Sequence, residues 1–130
     1  MDTISVAVRG EDLAAQYLEK EGWAIIGRNV RYKLGEIDII AQRTIERGLG
    51  KANLIAFVEV KTRTSKKDPR GAERAITSKK RKKVIIAAKL FLKKNPIGAC
   101  IARFDVIAIT LAEEPDLRYY PNAYDSSGRI

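Results

Sequence analysis

Asp38, Glu59 and Lys61 are the residues whose types and spacing could do chemistry. Each lies in an otherwise apolar run, Glu36-Ile37-Asp38-Ile39-Ile40 or Phe57-Val58-Glu59-Val60-Lys61. Acidic residues are depleted in strands, so carboxylates here need a reason. Glu59 and Lys61 are two apart, which on a strand points both side chains to one side of the sheet. Consecutive strands usually pair, and that pairing would bring Asp38 beside Glu59. Two adjacent carboxylates repel and raise each other's pKa. A divalent cation between them relieves that repulsion. Such an ion polarises a phosphoryl oxygen and lowers the pKa of water, which is what phosphodiester hydrolysis needs. Lys61 could orient that water or neutralise charge on the pentavalent transition state. Val60 faces the core, but its backbone carbonyl is a hard oxygen ligand. Glu11 could add a further carboxylate from above the sheet.

Taken singly, each residue has a plainer explanation. Glu-x-Lys pairs are common as exposed ion pairs on strands. Asp38 alone reads as a solvent-facing strand residue, and Glu11 alone as a boundary residue near a helix start. The joint arrangement carries the chemistry.

The rest of the composition narrows the class. The chain has 130 residues with 45% hydrophobic, enough for one domain with one core. That domain is expected over residues 1–125, with 126–130 a flexible tail. Histidine is absent, which removes histidine-based catalysis, and a single cysteine makes a zinc site a poor fit. Any metal is therefore held by oxygen, as Mg2+, Mn2+ or Ca2+ prefer, with Mg2+ or Mn2+ the expected cofactor. Cys100 cannot form an internal disulfide, fits a reducing cytoplasm and reads as a small buried residue. The N-terminus lacks a signal-peptide pattern, and no apolar run is long enough to span a membrane. Lys and Arg number 25 against 16 Asp and Glu, a net charge of +9. That excess favours a polyanion, nucleic acid first and an anionic membrane surface second.

These residues must be positioned by regular elements. Val6 to Glu21 reads as a helix, with Ala14 and Leu18 on one stripe and Glu11 on the same side. Gly22 stops it. Trp23–Tyr32, Glu36–Ala41 and Leu54–Lys61 read as three strands. Ile37, Ile39 and Ala41 are expected on one face of the second strand. The polar stretch Gln42–Asn53 reads as a connection and Thr62–Gly71 as a basic loop. Glu73–Asn95 reads as a second helix, with Ile76, Val84, Ala88, Phe91 and Leu92 as core contacts. Arg103–Leu111 and Leu117–Tyr124 complete five strands. The order is α-β-β-β-α-β-β, an α/β fold with a mixed sheet flanked by helices. Tyr119, Tyr120 and Tyr124 read as core and sheet-edge residues rather than base-stacking platforms, and the basic segments show no aromatic interleaving of the single-strand-binding sort.

Gly35-Glu36-Ile37-Asp38-Ile39-Ile40, Phe57-Val58-Glu59-Val60-Lys61-Thr62-Arg63 and Arg103-Phe104-Asp105-Val106-Ile107 together resemble the bacterial YraN-like family. Gly10-Glu11-Asp12-Leu13-Ala14, Gly22 and Arg28-Asn29 fit as well, so the resemblance runs from about Gly10 to Tyr124. That family is similar to the PD-(D/E)xK nuclease superfamily, with the restriction-endonuclease-like fold of Holliday-junction resolvases. The resemblance implies a metal-dependent endonuclease acting on DNA, including branched repair or recombination intermediates. A non-catalytic nucleic-acid-binding module with the same fold is the alternative. The resemblance makes Asp38 the first metal-binding carboxylate and Glu59 and Lys61 the acid-x-Lys element. Glu11 takes the helix carboxylate of the resolvase-like branch, and Lys79 a supporting place early in the second helix. Glu36 binds metal through water or holds its loop. A homodimer follows by analogy. The Gln42–Asn53 connection is longer than the usual short hairpin, and as an extended arm it would reach substrate or a second subunit.

Arg63, Lys66, Lys67 and Arg70 place positive charge just after the proposed site, where phosphates would approach. Lys80 and Arg81 are expected to bind nucleic acid with them, although they belong to the run Lys79–Lys83, which wraps more than a full helical turn, cannot all face one groove and reads equally as a solvated helix face.

Overall fold

The computed structural model describes residues 3–64 and 76–130. Helix α1 spans Thr3–Lys20, starting before the expected Val6. It buries Ala14, Ala15 and Leu18, the stripe that a four-residue repeat places on one face. It ends in a Schellman turn. Gly22 takes φ 96°, Trp23 N–H donates to the Leu18 carbonyl at 2.9 Å, and Gly22 N–H donates to Glu19 at 3.1 Å.

Five strands follow: β1 (Ala24–Tyr32), β2 (Gly35–Arg47), β3 (Gly50–Arg63), β4 (Cys100–Thr110) and β5 (Asp116–Tyr124). They form one sheet in the order β1-β2-β3-β4-β5. Only β3 and β4 run parallel, joined through helix α2 (Ser78–Lys94), so the sheet is mixed as expected. The two helices lie on opposite faces. Leu18 and Trp23 pack with Ile39, Val58 and Ile107 on the α1 face. Val84, Ala88 and Phe91 pack with Ile40, Phe57 and Phe104 on the α2 face.

The main departure from the sequence reading is Gln42–Asn53. Read by polarity as a long connection, it is the extended hairpin arm, a continuation of β2 and β3 paired as far as Arg47↔Gly50 around Gly48 and Leu49. The hydrophobic pattern fades there because the ribbon leaves the core. Thr44, Glu46, Arg47 and Lys51 are exposed, while the backbone ladder continues unbroken.

Helix α2 starts later than expected. Thr77 is its N-cap, accepting from the Lys80 N–H at 3.1 Å, so Ile76 packs into the core from the residue before the cap. The earlier residues Glu73 to Ala75 lie outside the described region, as does most of the basic loop. Cys100, expected to be buried, is partly exposed at the start of β4, where it packs against the core on the α2 face. The C-terminal residues, expected to fray, fold back in a hydrogen-bonded turn. The Asp125 carboxylate accepts from Ser127 N–H at 2.9 Å and Arg129 N–H at 3.0 Å, and the Arg81 Nε donates to the Gly128 carbonyl at 2.8 Å.

Candidate metal centre

Asp38 sits where the β2–β3 ladder stops. Pairing runs without a break to Ile39↔Val58 and no further. The next inward N–H, that of Val60, donates to Asp38 Oδ2 at 2.8 Å. A side chain thus replaces a ladder bond, and the strands can part. The faces of β2 also exchange at this point. Of Ile37, Ile39 and Ala41, expected on one face, only Ile39 and Ala41 share the α1 core, while Ile37 joins the α2 core. Asp38 is the residue across which the strand turns.

Glu59 follows the alternation of β3. Ile55 and Phe57 face α2, so Glu59 does too, with only 2% of its surface exposed. Its Oε1 lies 3.4 Å from Lys80 Nζ. Its Oε2 is buried without a hydrogen-bond partner among the described residues. Burial first, and then the neighbouring Asp38 charge, push the Glu59 carboxyl up to about 8 against the opposing pull of Lys80. Lys80 also reaches Glu36 Oε1 at 3.1 Å, bridging the two carboxylates. Burial pulls the Lys80 ammonium down, but Glu59 and Glu36 outweigh it and hold it above the usual lysine value. The Lys80 hydrogen bond is the main reason the Glu36 carboxyl is held low.

Glu11 arrives from the opposite helix. Its residue is partly buried, its Oε1 has no partner among the described residues, and burial followed by the Asp38 charge raises its pKa. Gly10 makes this approach possible. A Cβ there would lie 1.8 Å from Thr62 Oγ1, so only glycine lets α1 sit this close to β3. Gly35 does the same for α2, since a Cβ would lie 2.2 Å from the Lys83 carbonyl oxygen.

The result is a cleft of about 260 Å³ lined by Glu11, Asp38, Glu59, Lys61, Thr62 and Lys80. Of the residues singled out by sequence, the structure brings together Glu11, Asp38, Glu59, Val60 and Lys61, with Glu36 beside them through Lys80. Lys79 does not join them. It is exposed, and the neighbouring Lys80, one residue or about 100° further round the helix, is the one that reaches Glu36 and Glu59. Arg63 Nε donates to Thr110 Oγ1 at 3.0 Å. Arg81 is likewise engaged, donating to the Ile76 carbonyl at 2.9 Å as well as to Gly128. Lys66, Lys67 and Arg70 lie outside the described residues.

A second polar cluster escaped the sequence reading. Asp105 is fully buried on the α1 face, bound by Arg103 Nε and Nη2 at 2.9 Å each, by Asn122 N–H at 2.8 Å and by the Tyr119 hydroxyl. The signal was Arg103-x-Asp105 within one strand. Arg103 also lies 5.5 Å over the Trp23 ring. This network is internally satisfied and ties β4 to β5 rather than offering a free ligand.

Among the described residues, no three acidic side chains are grouped closely enough to hold a metal as they stand. The donor chemistry nevertheless fits a hard cation. Glu11 and Glu59 each carry a buried oxygen without a partner among the described residues, and both carboxyls are raised, first by burial and then by the Asp38 charge.

Fold and site together define an α/β protein with a mixed five-stranded sheet and a buried acid–lysine cluster where its central hairpin opens. The chain belongs to the uncharacterised protein family UPF0102, whose model matches residues 10–109. It is 41% identical over 118 residues to a UPF0102 protein of Trichlorobacter lovleyi, covering 89% of this chain and 87% of that one. It is 43% identical over 124 residues to one from Geobacter metallireducens, covering 93% of each. A relative from Chlorobium phaeobacteroides is 44% identical over 108 residues, 83% of this chain and 78% of its own. The YraN-like resemblance agrees with this membership. No helix among the described residues is long and apolar enough to cross a membrane.

Proposed function

We propose that this chain is a divalent-metal-dependent endonuclease acting on nucleic acid, with DNA the favoured substrate. The observation that carries the reading is Glu59. A carboxylate that is 2% exposed, raised to about 8 and left with one oxygen unpartnered stores an electrostatic cost. Asp38, Glu59, the Val60 carbonyl and Glu11 would hold Mg2+ or Mn2+. The ion would polarise a phosphoryl oxygen and acidify water. Asp38, through its bond to the Val60 N–H, fixes the Val60 peptide at the mouth of the cleft. Lys61 offers a cation at the cleft for the attacking water or the developing phosphorane charge. Lys80 holds Glu59 and Glu36 in place from the other side. The net charge of +9 supports a polyanionic substrate.

The test is cleavage of branched, single-stranded and duplex DNA, and of RNA, with Mg2+ or Mn2+. Loss of cutting in Asp38→Ala and Glu59→Ala, with binding retained, is the expected result. Unchanged cutting in both variants overturns the mechanism. One observation favours a second reading, a module that binds nucleic acid without cutting it: Lys80 already supplies counter-charge to Glu59. That reading predicts strongly salt-dependent binding with no metal-dependent cleavage.

A further inference from the structure

A larger cleft of about 580 Å³ opens on the α2 face, lined in part by Ile76, Arg81, Val106, Tyr120, Pro121 and Tyr124. Its size falls within the range of small-ligand pockets. The sheet register places it next to the acidic cluster. Glu59 pairs with Val106 across the parallel β3–β4 ladder, and Val106 pairs with Tyr120 across β4–β5. The three side chains form one rung on one face, so Tyr120 stands about 10 Å from Glu59, two strand spacings away.

Two further features describe what the cleft would take. The Tyr124 hydroxyl is buried without a hydrogen-bond partner among the described residues, although Tyr124 is 97% buried. Unpartnered buried hydroxyls are uncommon, and the edge of a heterocycle offers both donors and acceptors. Arg81 supplies a fixed cation at the wall. Its guanidinium lies 6.0 Å over the Tyr124 ring and is held by the Ile76 and Gly128 carbonyls. An aromatic side wall, a fixed guanidinium and an orphan hydroxyl suit a planar polar ring.

We infer that this cleft receives a single unstacked nucleobase from the strand whose phosphate lies at Glu59. The inference rests on the proposed nuclease reading and deepens it by naming a substrate class. A base held in a duplex stack cannot enter such a cleft, and a base already unpaired enters at least cost. The preferred substrate is therefore single-stranded or carries unpaired nucleotides beside the cut.

The experiment compares two labelled oligonucleotides of equal length, one of thymidines and one of abasic residues, so that the phosphates match. Binding to the full chain is measured by fluorescence anisotropy at low salt with divalent ions chelated. The wild-type chain binds the thymidine strand roughly tenfold more tightly, the scale of one base stacked on an aromatic ring. Tyr120→Ala abolishes that preference without changing affinity for the abasic strand, and Tyr120→Phe keeps it. Tyr124→Phe leaves the ring in the core and removes only the hydroxyl, and it weakens binding of the thymidine strand alone. Equal wild-type binding of the two strands overturns the inference and leaves the nuclease reading intact. A preference that survives in both Tyr120→Ala and Tyr124→Phe overturns it too. Binding of neither strand overturns the nucleic-acid reading itself, and this inference with it.

Discussion

Lys80 Nζ stands 3.4 Å from Glu59 Oε1 and 3.1 Å from Glu36 Oε1, linking helix α2 to two strands through one ammonium group. The neighbouring Lys79 faces solvent. At pH 9, where Glu59 is ionised, Lys80→Ala should therefore leave its charge buried beside Asp38 without a cation. The expected loss is about 2 kcal/mol, discounted from a fully buried pair because Lys80 is partly exposed. Lys79→Ala should change stability by less than about 0.5 kcal/mol. Urea midpoints of the two variants check this, and equal midpoints would contradict the bridge.

Glu59 gives the fold a pH signature. Its carboxyl is raised to about 8 in the folded chain, above the ordinary value of 4.5. Between those values the folded state keeps a proton that the unfolded state has lost. Stability from this group is therefore full at low pH and is lost as pH rises through 8. Glu59→Gln should be nearly neutral at pH 5. At pH 9 without metal it should stabilise the chain by about 4 kcal/mol, on the order of 15 °C in Tm. A pH-independent difference between the two proteins would count against a buried, raised carboxyl.

Metal should act on the same cluster without any reference to cutting. A ligand that binds only the folded chain raises Tm by mass action, by about 2.7 kcal/mol at a hundredfold excess over its Kd. Mn2+ is expected to raise the wild-type Tm at pH 8, and Asp38→Ala and Glu59→Ala are expected to remove the effect. Scanning fluorimetry reads this directly, and an equal Mn2+ shift in all three proteins would place the ion elsewhere.

Gly10 sets the approach of α1. Alanine there would gain about 1 kcal/mol in helix propensity, but its Cβ would fall 1.8 Å from Thr62 Oγ1. Overpacking of this kind costs about 1–3 kcal/mol, so Gly10→Ala is expected to destabilise. Thr62→Ala removes the obstructing oxygen and methyl and should recover part of the loss. A double-mutant cycle on thermal midpoints measures the coupling, and strict additivity would refute the close approach.

Asp105 is expected to be structural. Asp105→Ala strands Arg103 and the Tyr119 hydroxyl inside the α1 face, at a cost of about 3 kcal/mol. Chemical denaturation checks it. A loss below about 1 kcal/mol would show that water replaces the carboxylate without penalty.

The sequence alone determined the element order, the mixed sheet and the adjacency of Asp38 and Glu59. Those follow from local periodicity, from glycine stops such as Gly22, and from the tendency of consecutive strands to pair. It also marked Glu11, because one carboxylate on the apolar side of a helix is visible as a pattern. Tertiary structure decided the rest. The extension of β2 and β3 through Gln42–Asn53 is a matter of backbone hydrogen bonds, which carry no side-chain signature once a ribbon leaves the core. The choice of Lys80 over Lys79 depends on the rotational phase of α2. That phase is set by the Thr77 cap and by the contact of Gly35 with the Lys83 carbonyl. The exchange of faces at Asp38 is likewise a three-dimensional event, since the strand turns where its ladder to β3 ends. The residues with chemistry could be read from their types and spacing, whereas their convergence required two helices on opposite faces to meet at the gap where two strands part.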